Sequence, residues 1–147
     1  MPENPPSCVL LADRHHDLAE GVRGLLETTF DAVVMVADEA SLFESARRLH
    51  PMVAVVDVSL APGDSLQWLK RLRSVCPGLK LILLSVHDEP CVCRAAMAAG
   101  ADGFVLKRAI ATQLLVAVDE VLAGRRYVPT EAASAASPPE KTEGQKN

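Results

Sequence analysis

Aromatic residues are scarce in this 147-residue chain, which has one Trp, one Tyr and three Phe. The apolar share of 49% comes mostly from Ala, Val and Leu in short runs. None approaches the roughly 20 residues needed to cross a bilayer, so a membrane-spanning helix is excluded. An excess of basic charge is also missing. Lys and Arg number 15 against 19 Asp and Glu, for a net charge of −4. This argues against a nucleic-acid surface, which needs clustered cations to neutralise phosphates. Cys8, Cys76, Cys91 and Cys93 lack the paired CxxC spacing of a zinc site. They read as small thiols, with a reducing cytoplasm as the default compartment. The opening MPENPPS has no basic region and is broken by prolines, so no signal peptide is expected.

The length suggests a single domain able to bury a full core without metal or disulfide. From Val128 the chain reads VPTEAASAASPPEKTEGQKN, small and polar with three prolines. That composition predicts a linker or disordered tail over 128–147 and a folded unit over 7–127.

Within the unit, apolar runs alternate with helical patterns. The runs are Cys8–Ala12, Ala32–Val36, Met52–Val56, Leu79–Leu84 and Gly103–Leu106. Between them, Leu18, Val22, Leu25 and Leu26 recur at helical spacing, as do Leu42, Ala46 and Leu49. Ser41 with Glu44 reads as a capping box for the second helix. Leu66, Trp68, Leu69 and Leu72 give a third helix, stopped by Pro77-Gly78, with Trp68 as packing. Glu89–Ala99 gives a fourth helix closed by Gly100, and Leu114 to Leu122 a fifth closed by Gly124. Strict alternation of apolar strands and helices implies a five-stranded parallel sheet covered on both faces.

Such a sheet carries its functional groups beyond the carboxyl ends of its strands. Asp13-Arg14 follows strand 1, Asp57 follows strand 3, Ser85 strand 4 and Lys107 strand 5. Asp57 is a candidate phosphoryl acceptor, because a carboxylate can act as a covalent nucleophile. Lys107 supplies a point charge for phosphate oxygens, Ser85 a hydrogen bond, and Asp13 a carboxylate for Mg²⁺. Adjacent His15 and His16 read as solvated turn residues in preference to metal ligands. His87 reads as a loop residue near the pocket rim.

LLADRHH, VVDVSLAPGDSL, LILLSVHDE and AAGADGFVLK together resemble the receiver domain of bacterial two-component response regulators. LAGRRYVP resembles the end of receivers joined to helix-turn-helix outputs, although these residues contain no helix-turn-helix. The resemblance implies a chemotaxis-receiver-like, flavodoxin-like (βα)5 doubly wound fold with strand order 2-1-3-4-5. It makes Asp57 the phosphoacceptor, Asp13 an acid-pair carboxylate and the Ser59 backbone carbonyl a metal ligand. Ser85 becomes the switch hydroxyl, Phe104 the switch aromatic and Lys107 the phosphate-contacting lysine. It further implies Mg²⁺ as cofactor and a histidine kinase or phosphotransfer protein as partner. The fourth helix, fifth strand and fifth helix would form the switching surface, with a homodimer as one way to use it. The role is a signalling phosphoacceptor and not an enzyme, with at most self-catalysed phosphorylation and dephosphorylation.

Arg14 departs from that family's pattern, standing where a second acid is usual. A cation in place of an anion near a divalent ion costs about 4 kcal/mol for one charge pair about 4 Å apart at an effective dielectric near 20. Weak Mg²⁺ binding is therefore expected. Three orientations of Arg14 stay open: pairing with Asp57 as a cation mimic, swinging out to leave a weak metal site, or a surface residue without a role. The alternative to a phosphoacceptor is a pseudo-receiver, a phosphorylation-independent protein-interaction module, because Arg14 replaces a metal-binding acid. The loop after Asp57 also departs, with Ala61 then Pro62 where the family's proline comes first, and Ser65 in place of glycine.

Overall fold

The short aliphatic runs form the five strands of one parallel sheet: β1 (Cys8–Ala12), β2 (Ala32–Val36), β3 (Val53–Asp57), β4 (Lys80–Ser85) and β5 (Gly103–Leu106). The computed structural model describes residues 7–60, 66–86 and 90–129, with the backbone alone at 16–18 and 90. The strands are linked by α1 (His16–Leu26), α2 (Glu39–Leu49), α3 (Gln67–Val75), α4 (Pro90–Ala98) and α5 (Ile110–Leu122). A single 3-10 turn, Lys107–Ala109, joins β5 to α5. The strand order is β2-β1-β3-β4-β5 and every pairing is parallel. The alternation predicts the parallel sheet covered on both faces, and the family resemblance implies this doubly wound, flavodoxin-like strand order.

The pleat sorts the aliphatic side chains into two cores. Leu10, Ala12, Ala54, Val56, Leu81 and Leu83 pack with Leu42, Leu69, Leu72 and Ala96, which come from α2, α3 and α4. The alternate residues Val9, Leu11, Val53, Val55, Ile82 and Leu84 pack with Val22, Leu26, Leu114 and Val118, from α1 and α5. Strands buried on both faces must be apolar throughout, which is why these segments do not alternate in polarity. Each fully buried Leu, Ile or Val contributes roughly 1.5–3 kcal/mol. A sheet so apolar can carry charged groups at one end.

The second helix starts earlier than its capping-box pattern suggests. Its N-cap is Asp38, whose carboxylate accepts a hydrogen bond from the Ser41 backbone N–H at 2.7 Å, and Ser41 lies inside the first turn. Asp38 and Ser41 are both capping residue types, and the chain turns helical at the first of them. Glycine closes α4 and α5 as expected: Gly100 and Gly124 have φ of +115° and +87°, a region costly to other residues. Cys91 is exposed and Cys93 buried, the divergence that a two-residue spacing on a helix requires. Trp68 is buried in the core beneath α3.

After α5 the chain turns back along the outer edge of β5. The Tyr127 N–H donates to the Asp102 carbonyl and the Phe104 N–H donates to the Tyr127 carbonyl, both at 3.0 Å, forming one parallel bridge at Gly103. Val128 then packs on the cluster of Phe104 and Cys93, and Pro129 is buried. The rest of the segment read as a tail, 130–147, lies outside the described residues.

Candidate functional site

Three strands end in polar residues that share one side of the pleat. Asp57 closes β3 in step with Val53 and Val55, while Asp13 and Lys107 follow β1 and β5 in the same phase as Val9, Leu11 and Val105. Parallel register brings these ends level, so sequence separations of 44 and 50 residues collapse into one cluster. Lys107 Nζ donates to Asp57 Oδ2 at 2.5 Å and to Asp13 Oδ2 at 3.1 Å. The three side chains are 5%, 0% and 8% exposed for Asp57, Asp13 and Lys107. Such little solvent makes the pairing strong, because charge-assisted bonds strengthen as the local dielectric falls.

The other Asp57 oxygen is held by its own loop. Ser59 donates to Oδ1 twice, from its backbone N–H at 2.8 Å and from its hydroxyl at 2.9 Å. Sequence reasoning had assigned Ser59 only through its carbonyl. Burial pushes the Asp57 carboxyl up, but the bonds from Lys107 and Ser59 and the lysine charge outweigh it, holding the group below the usual carboxylate range. Burial works against the Lys107 charge in turn, and the two carboxylates overcome it to raise the ammonium above its ordinary value. Both partners therefore stay ionised at neutral pH.

His15 is solvated, as its place in a polar turn suggests, and it also borders the pocket. Its ring remains 64% exposed, yet Nδ1 lies 3.1 Å from Asp13 Oδ1 and 3.8 Å from Asp57 Oδ2. The cause is local. The His15 backbone N–H donates to Asp13 Oδ1 at 2.8 Å, an Asx-type turn that swings the ring back over the pocket. The only signal in the sequence was a spacing of two from Asp13. The His16 side chain and His87 lie outside the described residues.

Arg14 points elsewhere. It is exposed and, among the described residues, forms no ion pair with Asp13 or Asp57. It lines a cavity of about 230 Å³ with Asp13, Ala19 and the Met35–Ala37 stretch at the end of β2. The cation-mimic orientation is therefore not the one adopted. Ser85 is fully buried at the end of β4, in pleat phase with Leu81 and Leu83, on the α3–α4 side of the sheet. Phe104 is fully buried against Cys93, with Val92 and Met97 of α4 and Val128 around it. Ala61 to Ser65 lies outside the described residues.

Asp13, His15 and Asp57 offer one ligand atom each within 4.8 Å of one another. Two carboxylates meet the usual protein contribution to a Mg²⁺ site, which keeps several waters besides. The third donor is a nitrogen, which Mg²⁺ does not favour. No helix among the described residues is long and apolar enough to cross a membrane.

The comparisons agree with this architecture. The response regulator receiver domain pattern matches residues 9–119. A putative transcriptional regulator of Pseudomonas aeruginosa is 34% identical over 127 residues, covering 86% of this chain and 61% of that protein. The nitrate/nitrite response regulator protein NarP of Escherichia coli is 34% identical over 120 residues, covering 80% and 56%. The crystal structure of a LuxR-family two-component response regulator from Aurantimonas sp. SI85-9A1 superposes with a TM-score of 0.81 at 25% identity, covering 90% of this chain and 96% of that one. The chain thus spans about 60% of the length of the curated relatives it matches. With the sheet order, the cluster at its strand ends and the matched pattern in agreement, this chain belongs to the response regulator receiver domain family.

Proposed function

We propose that this receiver domain takes a phosphoryl group on Asp57 from a histidine kinase or phosphotransfer protein. The observation that carries the reading is the setting of the Asp57 carboxylate, buried, with Lys107 on one oxygen and Ser59 on the other. An ionised carboxylate at a strand end is a nucleophile presented at a fixed angle. In transfer from phosphohistidine, a carboxylate oxygen forms a bond to phosphorus as the phosphorus–nitrogen bond breaks. The electron pair leaves on the imidazole nitrogen. Lys107 then shifts part of its charge from the carboxylate to the phosphoryl oxygens, while Asp13 keeps the ammonium anchored. A divalent cation held by Asp13 and Asp57, with the Ser59 carbonyl as a further ligand, would neutralise charge on the incoming group.

Ser85 and Phe104 form the switch in this reading. The Ser85 hydroxyl bonds the phosphoryl group, and Phe104 repacks against α4, changing the surface formed by α4, β5 and α5. A second copy or another protein reads that surface. The domain works in the cytoplasm, and any transcriptional output belongs to a separate part of a longer protein, as the names of its relatives suggest. The rival reading, a phosphorylation-independent module, rests on Arg14 replacing a metal-binding acid; Arg14 standing outside the cluster removes from it only the Arg14–Asp57 lock.

The test is incubation with acetyl phosphate and a divalent cation, followed by intact-mass measurement of wild type and Asp57→Asn. The expected result is a phosphoryl adduct on wild type that the variant lacks. Absence of the adduct on wild type with every cation tried, Mg²⁺ and Mn²⁺ included, would overturn the reading.

A further inference from the structure

We propose that Asp13, His15 and Asp57 form a site selective for a divalent transition-metal ion, of the Mn²⁺, Co²⁺, Ni²⁺ and Zn²⁺ class, over Mg²⁺. This deepens the proposed function by naming the cation of the same pocket, and it rests on that pocket being the functional one. The argument starts from geometry. With metal–ligand bonds of about 2.1 Å, two ligands lie about 3.0 Å apart at a right angle and about 4.2 Å apart when opposite. His15 Nδ1 stands 3.1 Å from Asp13 Oδ1 and 3.8 Å from Asp57 Oδ2, inside that range for both. All three donor atoms lie within 4.8 Å of one another, so side-chain movements of a few tenths of an ångström bring them around one cation.

The oxygens are already apportioned. Asp13 gives Oδ2 to Lys107 and turns Oδ1 toward the imidazole, so a cation at Oδ1 leaves the lysine bond intact. Asp57 Oδ2 carries two lone pairs, one for Lys107 and one for a cation. The two carboxylates are buried and hold their positions, while the imidazole is mostly exposed and gives an ion its entry path. His15 is the N-cap residue of α1, and its side chain makes no capping hydrogen bond, leaving the ring committed to the pocket alone.

The donor set decides the preference. Mg²⁺ wants oxygen ligands in near-octahedral geometry, whereas imidazole suits later first-row ions. Arg14 removes an oxygen donor from the family's usual set, and His15 supplies a nitrogen in its neighbourhood.

Binding of metal alone to the full chain, with no phosphodonor, tests this separately from phosphoryl acceptance, whose failure would leave the binding result readable. Co²⁺ titration followed by visible absorption, and calorimetry with Co²⁺ and Mg²⁺, would be run on wild type, His15→Ala and Asp13→Asn. The expected result is one Co²⁺ bound at least about tenfold tighter than Mg²⁺. Both variants should lose about tenfold or more in Co²⁺ affinity, and His15→Ala should leave Mg²⁺ within about twofold. Far-UV circular dichroism checks that each variant is folded. Unchanged Co²⁺ binding by His15→Ala would overturn the proposal, as would equal affinities for Co²⁺ and Mg²⁺. A thiolate charge-transfer band would place the ion on cysteine and overturn it too.

Discussion

Lys107→Met tests the electrostatics of the pocket most directly. Wild type places one ammonium against two carboxylates that are 0% and 5% exposed. Methionine matches the length of the chain but leaves Asp13 and Asp57 facing one another without a cation. Removing one partner of a buried pair costs about 3–5 kcal/mol, since the charge left behind stays desolvated. The Ser59 bonds remain in place, so a value near the lower end, about 3 kcal/mol, is expected at neutral pH. With a urea slope of about 1–3 kcal/mol/M, the midpoint should fall by roughly 1–3 M. The only tryptophan, Trp68, is 3% exposed and gives a fluorescence signal for the melt. The pH dependence supplies a second check. In wild type the depressed Asp57 carboxyl contributes stability above the unfolded carboxyl range, and this is lost as pH falls through its folded value. In Lys107→Met the Asp57 carboxylate keeps its burial, which raises its pKa, and loses the lysine that lowers it. Mild acidification from neutral should then narrow the gap to wild type. Lys107→Arg, which keeps the charge, should lose less than the methionine variant. A methionine variant within about 1 kcal/mol of wild type at neutral pH, or one whose deficit widens in mild acid, would refute the reasoning.

Two further outcomes follow from the same geometry. Arg14→Asp should change stability by no more than about 0.5 kcal/mol, since the side chain is exposed. It should tighten Mg²⁺ binding by about threefold or more, and an unchanged titration would contradict the charge argument. Asp38→Ala should lower Tm by about 4 °C through loss of the α2 cap, whereas Ser41→Ala should barely move it. The reverse ranking would return the cap to Ser41.

What could be read ahead of the structure was whatever depends on pattern alone. Five aliphatic runs fix the sheet, and four of their ends name Asp13, Asp57, Ser85 and Lys107 without knowledge of any contact. What escaped were choices that a side chain makes among several local partners. Asp38 and Ser41 compete for one cap, and only the point where the backbone turns helical decides between them. Arg14 has several rotamers available, and its direction toward the end of β2 is a matter of packing rather than spacing. His15 looked like a solvent residue because it is one, by exposure; its ring is aimed by a backbone bond to Asp13 that no composition argument contains. Ser59 also bonds Asp57 through its backbone N–H and its hydroxyl, two contacts that the resemblance, which concerns its carbonyl, does not imply.

The chain's way out of the domain has a mechanical meaning. Beyond α5, residues 127–129 do not simply depart; Tyr127 is stitched to Asp102 and Phe104, and Val128 leans on the Phe104 ring. A tug on the residues that follow is therefore borne first by the backbone of β5 and the wall of the aromatic's slot, ahead of the helix that precedes them. The stitching also occupies hydrogen-bonding groups on an edge strand that would otherwise invite a foreign strand to pair there. The same two hydrogen bonds act as a tether and as a guard.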